Sequence, residues 1–361
     1  MRNIYVSGSV AYDEIMDFPH HFKDYFHPEK LHQINVSFAV SDLAKHLGGI
    51  TTNIAYALRN TLDFYGHVIP TKVGIQKGEL YRSRVGARDD KVKIFPVASV
   101  GRDGDEIVEF FKANNIDTSY VMKDKKLYTA TGKVITDMND NQIWGFYYGA
   151  SALIPTKLPS DKNDLWIVSA THEKPFSTVL RHVINNKIPY MFDPGMTLTW
   201  IRDDLLKKGV LNATYVVGND YEIAMIEKRI GMTVKELVDK GVNVITTLGG
   251  KGVKYEGHSV IPDLIRDPEK KDIRLDSDLH RNDIKKISII IKACRLRRVV
   301  DPTGAGDAWR GGFVGALAAG KPIKECLIMG NVMASFAVAT VGTVEYTVTK
   351  AEIEKRIEML S

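Results

Sequence analysis

The sequence predicts an α/β protein built on a central, mostly parallel sheet with helices on both faces. Three observations lead there. Short apolar runs rich in β-formers recur at residues 165–169, 188–192, 215–217 and 242–246. Helical patterns lie between them, at 177–185 and 220–229. The runs are continuously apolar, as strands buried on both faces must be. At 361 residues the chain can bury a large core, as one large domain or two smaller ones. In such sheets ligands bind beyond the carboxyl ends of the strands.

From the start, residues 3–10 read as a buried strand and turn, with no signal-peptide pattern. Asp13 then falls just past the first strand. It is either a turn residue or a carboxylate that accepts two sugar hydroxyl protons. Residues 34–40 alternate with period two, and so do 131–137. Asn139-Asp140-Asn141 make a polar turn before 142–146. This pattern predicts a small, half-exposed antiparallel sheet lying as a flap across the strand ends.

Gly48-Gly49 and Asn53 open a helical pattern. They read as a tight turn with a helix cap, or as a site where a diol approaches the backbone and the Asn amide. Asn219 with Glu222 follows a strand. It reads as a cap with an acidic first turn, or as groups near a Mg²⁺–phosphate water shell. Thr247, Gly249, Gly250 and Gly252 follow another strand, as a glycine turn or a surface for a nucleotide.

The most specific stretch is Asp301-Pro302-Thr303-Gly304-Ala305-Gly306-Asp307. It follows an apolar segment read as a strand and opens a small-residue helix over 308–319. A glycine-rich turn at a helix start exposes unpaired N–H groups and the positive end of the dipole, which together bind anions such as phosphate. A carboxylate beside such a site repels phosphate unless it has a task. For Asp307 that task is general base, taking a proton from an attacking hydroxyl; the competing reading is a helix cap.

Composition narrows the function class. The chain carries a formal charge of +5. Residues 67–93 hold seven basic and three acidic residues, residues 258–298 hold eleven and seven, and the rest sums to −3. The excess sits in two segments, 66–93 and 258–286, that interrupt the alternation. They share a short match, His67-Val68-Ile69-Pro70 and His258-Ser259-Val260-Ile261-Pro262. They read as insertions in surface loops. Nucleic acid is not an expected partner. Two cysteines form no disulfide framework and no metal spacing, and no apolar run spans a membrane, so a cytoplasmic protein is expected. Walker, dinucleotide and protein-kinase signatures are absent.

Taken together, these motifs resemble the ribokinase-like family, the PfkB carbohydrate kinases. The resemblance covers nearly the whole chain outside the two inserts, and the motifs occur in family order. It implies a single domain over 1–361 with a three-layer α/β/α fold and a small β lid, about 14–47 and 126–148. It implies ATP and Mg²⁺, with a monovalent cation such as K⁺ in many members. Asp307 would be the base, and Gly304, Ala305 and Gly306 the anion hole. Asp13, Gly48, Gly49 and Asn53 would hold sugar hydroxyls. Asn219, Thr247, Gly249, Gly250, Gly252, Thr303 and Asn331 would serve the nucleotide, with Glu222 reaching the metal through water.

Within the family, Gly8 to Asp13, Asn35 to Phe38, Asn53 to Leu58 and Asp307 to Arg310 are most similar to the bacterial adenosine-kinase-like branch. Adenosine is the expected acceptor, with Phe38 or Tyr147 as an aromatic contact for its base. A ribose or fructose kinase shares every catalytic residue. A non-catalytic nucleoside-binding protein is the alternative of another class. Ile50-Thr51-Thr52 depart from the small residues usual after the paired glycines. A lid closing over its own site favours a monomer; one pairing edge to edge makes a dimer.

Overall fold

The computed structural model describes residues 3–26, 36–67, 92–139, 141–259 and 285–360. A nine-stranded sheet runs through it. Its strands in chain order are β1 (Asn3–Ser7), β4 (Lys93–Val100), β5 (Val121–Lys123), β8 (Leu165–Ser169), β9 (Tyr190–Asp193), β10 (Tyr215–Asn219), β11 (Asn243–Thr247), β12 (Val253–His258) and β13 (Lys286–Ile291). The spatial order is β13-β12-β11-β10-β9-β8-β1-β4-β5. Seven strands are parallel, and β12 and β13 add an antiparallel edge.

Alternate strand residues feed two cores. Ile4, Val6, Leu165, Ile167, Tyr215 and Val217 face one side, with α1 (Ile50–Phe64), α2 (Asp105–Ala113), α7 (Ala305–Ala318), α8 (Ile323–Ala337) and α9 (Lys350–Glu358). Tyr5, Trp166, Val168, Phe192 and Val216 face the other, with α3 (Glu173–Asn186), α4 (Asp203–Leu211), α5 (Asp220–Ile230) and α6 (Val234–Asp239). Both faces are covered, which is why these strands are apolar without alternation. The expected three-layer α/β/α arrangement is therefore observed.

The small residues of α7 let three helices approach closely. A Cβ on Gly311 would lie 2.6 Å from Ala57 Cβ on α1, and one on Gly312 would lie 2.7 Å from the Met329 carbonyl on α8. Any side chain there would force the helices apart.

A second sheet of four strands contains β2 (Ala11–Asp17), β3 (Asp42–Gly48), β6 (Ala130–Thr136) and β7 (Gln142–Tyr147), in the order β3-β2-β6-β7. It differs from expectation in two ways. It is mixed, because β2 pairs with β6 in parallel. Its first-excursion strand is 42–48, paired antiparallel to β2, and not 34–40. Ile34 and Asn35 lie outside the described residues, and 36–40 form no strand. The apolar alternation there serves a cluster instead: Phe38 packs on Phe18, Phe22 and Tyr25.

Three further expectations are corrected. Asp13 is not in a turn after β1 but within β2. No strand precedes Asp301 directly: β13 ends at Ile291, and 292–300 is irregular, with Val299 and Val300 exposed. Helix α7 begins at Ala305, so Asp307 lies inside its first turn. The segments 66–93 and 258–286 lie outside the described residues except at their ends. At the second, His258 pairs with Lys286, and the Ser259 N–H donates to the Lys285 carbonyl at 3.0 Å. Among the described residues, no helix is long and apolar enough to cross a membrane.

Candidate active site

The turn before α7 is held from both sides by Asp301. Its Oδ1 accepts the Thr303 N–H at 2.8 Å and its Oδ2 accepts the Gly342 N–H at 3.3 Å. Gly304 then adopts φ +74° and lies against Thr343, whose Cγ2 would be 2.9 Å from a Cβ. A side chain is excluded by both conformation and space. The Ala305 N–H reaches the Pro302 carbonyl at 3.3 Å. The N–H groups of Gly304, Gly306 and Asp307 have no acceptor among the described residues. They lie at the positive end of a 14-residue helix, an arrangement that favours an anion.

Asp307 does not cap this helix; the N-cap is Gly304, and no side chain caps it. The carboxylate instead accepts from Asn53 Nδ2 at 2.8 Å through Oδ2, linking the first turns of α1 and α7. Asp307 keeps a partial opening to solvent but is crowded by protein elsewhere. That burial pushes its carboxyl up to about 7, against the opposing pull of Arg310 and Asn53, with Asp193 and Asp13 adding to the rise. A base poised near neutrality suits proton abstraction.

The first turn of α1 supplies the neighbouring wall. Gly49 is its N-cap, at φ +86°, where a Cβ would come within 2.6 Å of Ala11 N. A Cβ on Gly48 would lie 2.2 Å from Asp13 Oδ2, so Gly48 makes room for that carboxylate. Burial, with the charges of Glu345 and Asp301, raises Asp13 to about 6, while His46 opposes. Asp13, His46, Trp144, Asp301, Thr303 and Thr343 line a cavity of about 180 Å³ between the small sheet and the α7 turn. Thr51 and Thr52 are fully buried and their hydroxyls, like Asn53 Oδ1, have no hydrogen-bond partner among the described residues. Unpaired buried polar atoms are costly unless a ligand or water satisfies them.

The remaining residues lie at the ends of β10 and β11. Asn219 and Glu222 form a closed capping box: Asn219 Oδ1 accepts the Glu222 N–H, and Glu222 Oε2 accepts the Asn219 N–H, each at 2.8 Å. Thr247 Oγ1 donates to the Gly218 carbonyl at 3.4 Å. Gly249 and Gly250 face open space, whereas Gly252 is pressed on β13, where a Cβ would overlap the Ile291 carbonyl.

Asn331 is buried. Its Oδ1 accepts the Trp309 indole N–H at 2.9 Å, and its Nδ2 donates to the Ile291 and Lys292 carbonyls at 3.2 and 2.8 Å. Both amide hydrogens are used within the protein, so none is left for an adenine. Of the two aromatic contacts expected for a base, Phe38 is engaged in its own cluster, and Tyr147 is 47% exposed on β7.

Sequence reasoning assigned no role to Arg310 or Asp193. Their one signal was an arginine set among small residues on the α7 face.

The carboxyl-terminal residues 278–350 match the pfkB family carbohydrate kinase model. A nucleoside kinase of Methanothermobacter thermautotrophicus is 27% identical over 349 residues, covering 95% of this chain and 91% of the relative. The ribokinase of Bacillus subtilis is 24% identical over 285 residues, covering 76% and 83%. The nucleoside kinase of Burkholderia thailandensis, solved in complex with inosine, superposes with a TM-score of 0.72 at 26% identity, covering 99% of this chain and 98% of that one. The same enzyme is also solved in complex with ADP-inosine.

Proposed function

We propose that this chain, which belongs to the PfkB family of carbohydrate kinases, transfers the γ-phosphoryl group of ATP to a primary hydroxyl of a nucleoside, with adenosine as the expected acceptor. The observation that carries the reading is the Asp307 carboxylate, raised to about 7, on the helix turn where the N–H groups of Gly304, Gly306 and Asp307 have no acceptor among the described residues. Asp307 takes the hydroxyl proton as the oxygen attacks phosphorus. The N–H groups of Gly304 and Gly306 meet the charge on the transferring group, while that of Ala305 is turned to the Pro302 carbonyl. Asn53 orients the base, and Asp13 with the Gly48–Gly49 turn accepts sugar hydroxyls.

Gly249 and Gly250, just past Thr247, offer open backbone for the nucleotide, and Thr303 would serve it from the α7 turn. Gly252 and Asn331 support that surface from inside. Glu222 commits one oxygen to the capping box and leaves Oε1 without a bond in it, which suits a metal-bound water. Among the described residues no cluster of three acidic, His or Cys side chains could hold a metal alone. This fits Mg²⁺ arriving with the phosphates, where it would neutralise their charge. Closure of the small sheet over the site would exclude water and suppress ATP hydrolysis.

The nucleoside assignment draws on relatives that carry that name and align over nearly the full chain. The ribokinase relative keeps a free-sugar acceptor as the second reading. The test is ADP release from Mg·ATP across adenosine, inosine, other nucleosides, ribose and fructose, with Asp307→Asn as control. Adenosine-dependent turnover is expected, lost in the variant. Turnover confined to a free sugar keeps the mechanism and overturns the acceptor. No turnover from folded protein with any acceptor overturns the kinase reading in favour of a nucleoside-binding protein.

A further inference from the structure

The mechanism above leaves a buried ion pair beside the base without a task. Arg310 lies on α7 one turn past Asp307 and is only 8% exposed. Its Nη2 donates to Oδ1 of Asp193, the last residue of β9, itself 3% exposed. Its Nη1 lies under the phosphoryl turn, 2.6 Å from the position of a Cβ on Gly306. Its Nε is buried and has no hydrogen-bond partner among the described residues. Burying a guanidinium costs several kcal/mol, and a pair kept for stability alone gains little over apolar packing. A buried cation with a spare donor next to a catalytic carboxylate therefore calls for a function at that carboxylate.

Charges from several elements act on Arg310 and Asp307. Asp307 is on α7, Asp13 on β2, Asp193 at the end of β9 and Glu222 on α5. Uncharged Asn53 on α1 and the buried Tyr346 hydroxyl complete the surround. Three carboxylates, Asp193, Asp307 and Glu222, thus act on the guanidinium, and Asp13 acts on Asp307.

We propose that Arg310, clamped by Asp193, is a positioning residue whose fixed positive charge under Gly306 holds the Asp307 carboxylate in its proton-accepting form. The inference rests on the assignment of Asp307 as the base. Asp307 stands near 7 because burial raises it and Arg310 is the largest influence opposing that rise. Without the guanidinium, burial and the charges of Asp193 and Asp13 act unopposed except by Asn53. The carboxyl then rises further, and at pH 7 the base is mostly protonated. A rise of one unit from 7 cuts the ionised fraction at pH 7 roughly fivefold.

The deciding measurement is the titration of the Asp307 carboxyl by ¹³C NMR in the full chain without substrate. The resonance is assigned by its loss in Asp307→Asn. Arg310→Gln is expected to move the midpoint up by at least about one pH unit, and Arg310→Lys to restore most of that shift. The acidic limb of kcat/KM should move by the same amount. Should Arg310→Gln alone fail to fold, because Asp193 becomes a lone buried carboxylate, Arg310→Gln/Asp193→Asn removes both charges. The midpoint still rises, by less, since Arg310 outweighs Asp193 at Asp307. An unmoved midpoint in a folded variant overturns the proposal and leaves the pair a structural one. The readout needs no turnover, so a moved midpoint in a protein that phosphorylates nothing would uphold the clamp while the kinase reading failed.

Discussion

Replacing Asp307 by Asn removes a charge and almost nothing else. The amide keeps the shape of the carboxyl, and its oxygen can still accept from Asn53 Nδ2, now at 2.8 Å from Oδ2. Two effects of opposite sign follow. Phosphoryl transfer loses its proposed base, and the rate is expected to fall by at least about 10². Stability moves the other way. In the folded chain the carboxyl is raised from 3.8 to about 7, so the folded state binds its proton more tightly than the unfolded chain. That contribution is complete below the unfolded value and is lost as pH rises through about 7.

Above that point the wild type carries an ionised, crowded carboxylate that the Asn variant lacks. About three pH units correspond to an upper limit of about 4 kcal/mol, reduced because Asp307 retains some contact with solvent. The variant is expected to melt a few degrees higher at pH 8, with the gain shrinking between pH 7 and 4. Thermal melts and ADP release, both followed from pH 5.5 to 9, test the two arms on the same samples. A fully active variant would refute the assignment of the base. A melting difference flat across pH would refute the claim that burial strains this carboxylate.

Other expectations follow from single contacts. Gly49→Ala puts a side chain at φ +86° and within 2.6 Å of Ala11 N; a loss of about 2 kcal/mol or more is expected in urea melts. Asn331→Leu orphans the Trp309 indole N–H and the carbonyls of Ile291 and Lys292. It should cost about 2–4 kcal/mol in the same experiment, largely from unpaired buried groups. Replacing 260–284 by a two-residue Asn-Gly turn should leave the melting midpoint within a few degrees, because Ser259 and Lys285 already meet across the β12–β13 ladder. A collapse of the cooperative transition would show instead that the segment contributes to the fold.

Much of this architecture was legible in order along the chain, because its signals are local. A strand covered on both faces must be continuously apolar, so β8, β10 and β11 announced themselves within a residue or two. The glycine-rich turn at 301–307 declared a helix start because only glycine tolerates the conformation of residue 304. Period two was a weaker guide. It marked β6 and β7, but at 36–40 the same apolar spacing built an aromatic cluster and no strand. Neither pattern carries information about which distant segment completes a ladder.

By itself, then, the sequence determined the alternation of strands and helices, the glycine-rich turn at the start of α7 and the identity of the candidate base. Each depends on residues within a few positions of one another. Only the tertiary structure decided what surrounds that base. Asn53 lies 254 positions from Asp307, and Arg310 meets Asp193 across 117. Asn331 turned inward for the same reason: its partners are Trp309 and the end of β13. The charge and burial that set Asp307 near neutrality arise only when α1, α7 and β9 pack together, since burial and Coulomb interactions depend on distance in space and not on distance along the chain.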